Sequence, residues 1–318
     1  MSPPTATARL RGLPPTLRGM LWMAASGMLF AILNTAMKWL AHDLHPWVVG
    51  SLRYFFGFLI LLPLIWHVGI GALRTRATGL TVVRCLFHSG GMALWFFALP
   101  MVSMAEMTAL GFTGPIFMCL GAVLVLGERM IWARWAAVLV GFAGVLVVVR
   151  PWAGDGFSGV TLGNLLMLAA SPVFAASFLT AKVLTRYDSA EVIVLWQHLG
   201  VGLMTIPLAV IYWSHPTLAQ WFWMVVCGAL GTLGHYCVNR AYAACDVSAV
   251  QPVRFLDLVW ASLGGFLVFS TIPHGWTLVG AAVIFASTLW LARHESRLGR
   301  EKRQHTGGAA VAVAKPAE

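Results

Sequence analysis

The sequence predicts an all-α membrane protein with ten transmembrane helices arranged as two inverted five-helix repeats. Three observations carry that expectation. Of 318 residues, 59% are hydrophobic and only 10% charged, whereas a soluble domain carries about 25% charged residues. With a mean hydropathy of +0.80, the chain has too little polar surface to cover a soluble globule. Apolar runs of about 20 residues, the length a helix needs to cross the hydrocarbon, recur along it. The second half also repeats the first weakly, at a spacing of about 144 residues.

Residues 1–19 form a cytoplasmic N-terminal segment with Arg9, Arg11 and Arg18. The apolar run behind it is longer than a signal-peptide core and lacks a small-x-small cleavage site, so it reads as a first transmembrane helix. The first repeat covers 20–150, with spans expected at 20–40, 47–68, 79–99, 103–126 and 132–150. The second covers 160–293, with spans at 160–182, 190–213, 219–243, 247–270 and 275–293. Residues 294–318 form a basic tail expected to be unstructured and cytoplasmic. Connections are short, so neighbouring helices run antiparallel.

Basic residues set the orientation. Arg74, Arg76, Arg129, Arg134, Lys182, Arg186, Arg240 and the tail fall on one side, and the opposite loops hold almost none, Arg150 excepted. Both termini are therefore expected inside, in the inner membrane. The net charge of +10 sits in short gaps and in the tail, which suits anionic lipid. No basic folded face for nucleic acid is visible. Five cysteines are scattered, mostly within apolar runs, without a CxxC. They read as small buried residues rather than disulfide partners or metal ligands.

The repeat is visible in short matches. "AASGMLFA" (24–31) answers "AASPVFAA" (169–176), Lys38 answers Lys182, and Pro63 answers Pro207. Each half holds an odd number of spans, so the second copy enters the bilayer upside down. Inverted repeats are a mark of transporters, with the site near the midplane where the halves meet.

"GFTGPIFMCLGAVLVLGERMIWARWAAVLVGFAGVLVVVRP" (111–151) closely resembles the end of an EamA domain, and "PVRFLDLVWASLGGFLVFSTIPHGWTLVGAAVIFAS" (252–287) resembles the same region of a second one. On these stretches, with the Gly127-Glu128-Arg129 signature and Arg53, the chain is identified as a member of the EamA-type branch of the drug/metabolite transporter superfamily. The resemblance covers nearly all of 20–293 and implies a carrier of small metabolites. One departure stands out: the second domain usually repeats the glutamate, and here Thr271 occupies its place. That asymmetry makes Glu128, with Gly127, a structural cap or latch rather than a substrate ligand.

Charge at membrane depth costs about 2.5–3.5 kcal/mol per residue on insertion scales, so intramembrane polar residues mark candidate sites. Arg254 and Asp257 lie at i, i+3 in the ninth span and share a face. Either they neutralise each other for insertion, or Arg254 holds an anionic group of the substrate while Asp257 orients it or takes a proton. In the family resembled, the Pro-x-Arg position faces the cavity. Arg53 lies in the outer half of the second span, free to snorkel or to face a cavity; the repeat puts Gln197 at the matching place, with His198 beside it. Glu106 opens the fourth span and suits either a helix first turn or proton coupling. His235 and Asn239 share a face of the eighth span; Asn34 and Lys38 share one of the first. Arg84, with His88 on the same face of the third span, is expected at the cytoplasmic edge. Trp22, Trp95 and Trp260 lie deep enough to stack on a flat ligand.

The sequence holds no HExxH, GxSxG, Walker A or DxD motif, and no soluble stretch large enough for a nucleotide-binding domain. No catalytic, cofactor or metal site is expected. The reading is a secondary carrier working by alternating access, whose partners are the bilayer and a small-molecule substrate with a carboxylate or other anionic group, an amino acid or a cofactor-like molecule. A membrane-embedded enzyme and a non-transporting receptor or subunit are the alternatives, and monomer and homodimer both stay open.

Overall fold

The computed structural model describes residues 13–68, 74–98, 101–102, 110–149, 161–269 and 275–313. The described residues contain helices and no strand. The first half supplies α1 (Pro15–Leu40), α2 (Pro46–Val68), α3 (Thr78–Ala98), α4 (Gly114–Leu126) and α5 (Trp132–Val149). The second supplies α6 (Leu162–Leu184), α7 (Ala190–Ile211), α8 (Leu218–Ala244), a one-turn α9 (Val247–Val250), a 3-10 turn (Gln251–Phe255), α10 (Leu256–Phe269) and α11 (Gly275–Val313).

Seven described helices are long and apolar enough to cross a membrane, and two shorter apolar ones, Gly114–Leu126 and Trp132–Val147, accompany them. Their boundaries follow local chemistry. Proline opens α1, where its missing N–H costs nothing. Thr217 and Gln220 close a reciprocal capping box on α8. Gly127, at φ 66°, ends α4 in the left-handed conformation that a Cβ disfavours. α11 continues past its apolar stretch to Val313, so helix stands where the sequence suggested an unstructured tail; the Glu, Arg, Lys and Gln residues there are good helix formers.

The ninth span departs from expectation. It is not one helix across 247–270 but three pieces, broken at Gln251–Phe255. Pro252 explains the break, since it donates no hydrogen bond and crowds the preceding residue. In the first half a turn at 112–113 precedes α4 at the equivalent register.

Packing runs between the halves. α1 lies on α8, and α3 lies on α6; α1 meets α10, and α4 meets α6; α2 meets α8, and α3 meets α7. α2 packs on its counterpart α7, and α5 on its counterpart α11. Exchanging each helix with its mate in the other half maps this set of contacts onto itself, the pattern of a pseudo-twofold axis. Among the described residues, no two helices of the first half share a comparable packing face. Small residues permit the closest approaches. A Cβ on Gly144 would meet Ile284 of α11 at 2.8 Å, and one on Gly228 would meet the Gly57 amide at 2.8 Å. Large apolar side chains such as Leu124, Leu139, Leu203, Leu267 and Leu278 are exposed, as a lipid-facing surface requires.

Candidate functional site

Two groups of polar side chains lie where the halves meet. The first is buried between α2, α3, α6, α7 and α8. Tyr54 Oη and His88 Nε2 are 2.7 Å apart. Ser177 Oγ donates to the Arg84 carbonyl at 3.2 Å and lies 3.4 Å from His88 Nδ1. The Arg84 guanidinium donates to Gln197 Oε1 and, at 3.4 Å, to the Ile193 carbonyl. Gln197 Nε2 lies 3.5 Å from His235 Nε2. His198 Nε2 lies 3.3 Å from Thr232 Oγ1. The His235 ring is 5.6 Å from that of His88 and 5.9 Å from that of His198. Arg53 lies over the Tyr54 ring, 4.1 Å from its centroid.

This cluster straddles the axis. Tyr54 and His198 are counterparts in the repeat, and their rings touch at 5.3 Å. The Tyr54–His88 contact likewise has its counterpart in His198–Thr232. The two halves thus each place a hydrogen bond at the equivalent position, built from different side chains. Removing the Tyr54 hydroxyl leaves a buried imidazole nitrogen unmet, which costs about 1–3 kcal/mol. Tyr54→Phe is therefore expected to lower the melting midpoint of the purified protein, and an unchanged midpoint would show the bond to be idle.

The second group sits on the break in the ninth span. Arg254 Nε and Asp257 Oδ2 are 4.0 Å apart, each side chain about a quarter exposed (24% and 25%). Arg254 stands 5.1 Å from the Phe178 ring centroid. Asp257 Oδ1 presses on Gly27 of α1, 2.0 Å from where a Cβ would be. Phe178 links the two groups, since its ring also meets His88 at 6.1 Å. Phe174 and Phe30 add aromatic walls against His88 and His235.

Most residues singled out from the sequence converge here. Arg53, His235 and Asn239 are in the buried cluster, with Asn239 fully buried. Arg53 does not snorkel: it is 8% exposed, with its Nη1 3.1 Å from the Cβ position of Gly231 on α8. Arg84 is not at an edge but 1% exposed at the junction, because its guanidinium reaches across to α7. Asn34 stays outside the hydrogen-bonded cluster and is exposed. Leu21, Met28, Ile32 and Trp39 form the exposed apolar stripe of α1. Asn34 lies on the opposite face, with Gly27 and Phe30, by the helical repeat. Glu106 and Thr271 fall outside the described residues. His88 enters the site beside its noted neighbour Arg84, and Tyr54 and Thr232 join it unannounced by any motif.

Glu128 does something different. Its carboxylate accepts from the Val247 and Ser248 amides at 2.7 and 3.0 Å and from Ser248 Oγ at 2.7 Å. It thereby caps α9, the first piece of the broken span. Arg134 of α5 continues the network, donating to Glu295 at 2.8 Å, Asp246 at 3.0 Å and Ser248 Oγ at 2.9 Å. Lys182 donates to the Tyr242 and Cys245 carbonyls at the end of α8. These residues clasp one end of the bundle, where the chain passes from α8 into the break. Among the described residues no His, Cys, Asp or Glu grouping could hold a metal ion.

Comparison with known proteins identifies the family. A riboflavin transporter of Rhizobium johnstonii is 33% identical over 286 residues, 89% of this chain and 93% of that protein. A riboflavin transporter of Vibrio cholerae is 32% identical, covering 90% and 97%. An S-adenosylmethionine uptake transporter of Rickettsia prowazekii is 28% identical, covering 91% and 97%. A solved crystal structure superposes with a TM-score of 0.75 at 19% identity, covering 88% of this chain and 97% of that one, which supports the fold. The EamA-like transporter family matches residues 17–150 and again 161–293. With two copies of that unit across nearly all of its length and several helices fit to cross a membrane, the chain belongs to the EamA-like transporter family and is a multi-pass membrane transporter of small metabolites.

Proposed function

We propose that the protein is a secondary transporter that moves a flat, ring-bearing metabolite, a flavin foremost, across the inner membrane by alternating access. In this reading the two five-helix halves are inserted inversely and both termini are cytoplasmic. The observation that carries it is the Arg254–Asp257 pair on the break of the ninth span, about a quarter exposed, with Arg254 beside Phe178. Broken helices placed where repeats meet are how many carriers present polar groups to a passenger. The arginine donates and the aspartate accepts. That alternation fits the imide edge of a flavin, whose N–H is flanked by two carbonyls, while the aromatic side chains nearby suit its ring faces. The surplus of deep cations favours an electron-rich or anionic edge on the passenger. The relatives named as riboflavin transporters support the same class.

The test is riboflavin fluorescence in proteoliposomes. Saturable flux is expected with the native chain, and about tenfold slower flux with Arg254→Ala, as the loss of roughly 1.4 kcal/mol of binding predicts. Flux of S-adenosylmethionine in place of riboflavin would overturn the flavin assignment. Full-rate flux by Arg254→Ala would remove the pair from the site.

A further inference from the structure

The buried cluster holds two guanidiniums and, among the described residues, no carboxylate at ion-pair distance from either. Arg84 is 1% and Arg53 8% exposed. The described ion pairs involve His42, Arg134 and Arg254 and leave both out. Every neighbour with a defined contact is uncharged or a histidine. The Tyr54 ring meets Arg53. Gln197 and the Ile193 carbonyl meet Arg84. His88, His198 and His235 complete the group, with Asn239 beside them on α8. A buried ion without a partner costs several kcal/mol, and the membrane setting makes it no cheaper.

The hydrogen-bond account is also open, with three N–H donors and the Asn239 Oδ1 acceptor unmet. Arg53 Nε, Arg84 Nε, Asn239 Nδ2 and His235 Nδ1 are all buried and have no partner among the described residues. Native proteins rarely leave such groups unmet, and an ion or water is the usual explanation. Two positive charges and several unused N–H groups, from α2, α3 and α8, border the same buried cluster. Guanidinium and amide donors of this kind are the recurrent partners of anions.

We propose that this cluster is a binding site for a monovalent anionic group, held between Arg53 and Arg84 and separate from the Arg254–Asp257 pair. Two sources share that chemistry: a free inorganic anion such as chloride, and the carboxylate of a small solute. The site gives the transporter a second ligand whose occupancy offsets one of the two positive charges at the junction between its halves. The assignment does not depend on the flavin reading.

The experiment is a thermal-shift titration of the purified full-length chain in detergent at fixed ionic strength. Chloride, bromide and nitrate form one arm, formate and acetate a second, and gluconate and sulfate the controls. A binding anion should raise the melting midpoint by roughly 2–4 °C at tenfold excess over its dissociation constant, and logarithmically beyond it, over and above the shift the controls give. The inorganic arm alone responding identifies a free ion, and the carboxylate arm alone a solute. Arg84→Gln should abolish the shift. Should that variant fail to fold, Arg53→Gln and Asn239→Leu report on the same site. Arg254→Ala should keep the full shift, which separates this proposal from the flavin assignment. The proposal is overturned if the midpoint follows ionic strength alone, or if Arg53→Gln retains the whole anion effect. It is also overturned if anions stabilise only Glu106→Gln, since the chain's own carboxylate would then be the occupant.

Discussion

Arg134→Met will destabilise the protein by about 3–5 kcal/mol, the range for removing one partner from a buried ion pair. Arg134 and Glu295 have side chains only 9% and 8% exposed, so the abandoned carboxylate has no water to retreat to. The same guanidinium also serves Asp246 and Ser248, and Ser248 in turn holds Glu128. One substitution therefore loosens α5, α11, the end of α8 and the start of the broken span together. The midpoint of thermal unfolding in detergent measures this directly. Arg134→Lys should recover only part of the loss, because an ammonium cannot reproduce a planar fork reaching three acceptors. A loss below about 1 kcal/mol, the level of an exposed pair, would show that the clasp is not cooperative.

Gly27→Val is expected to reduce transport on the order of 100-fold, the penalty that misplacing a reacting or binding group by about 1 Å can incur. A Cβ at Gly27 would stand 2.0 Å from Asp257 Oδ1 and 3.5 Å from the Trp260 ring. The branched side chain must push the carboxylate away from Arg254 or force α1 off α10. Proteoliposome flux reads the effect, and the melting midpoint tells the two outcomes apart. Lost flux with a nearly native midpoint means that the carboxylate has moved. Native flux would show that the position of Asp257 does not matter to transport. Gly27→Ala, whose single methyl group meets only the tip of a flexible side chain, should fall between.

The helical, membrane-spanning character was legible because hydropathy is a bulk property that survives every local detail. The family was legible from the stretches around Glu128 and Pro252. The polar residues of the site were legible in part, because charge in lipid is expensive enough to stand out: Arg53, Arg254, Asp257, His235 and Asn239 could all be read by that rule. The break at Gln251–Phe255 was harder, since Pro63, Pro172 and Pro207 lie inside unbroken helices. Proline alone does not say which span will part. Arg84 was misplaced for a related reason. Position along α3 alone sets it near an edge, while its burial comes from Gln197, more than a hundred residues away. Tyr54 and Thr232 carry no charge and gave no signal by themselves. The repeat could have exposed them, because the spacing that matches Arg53 with Gln197 also matches Tyr54 with His198 and His88 with Thr232.

The interlocked packing of the two halves has a kinetic consequence. While the ribosome is still making α6 to α11, the earlier spans have already entered the bilayer, and the surfaces they will bury do not yet exist. Until then they lack the helices against which they pack most extensively. α3 can pack once α6 is made and α1 and α2 once α7 and α8 follow, while α5 waits for α11, so closure tracks the synthesis of the second half. During that interval the unassembled arginines of α2 and α3 are the chain's most vulnerable feature.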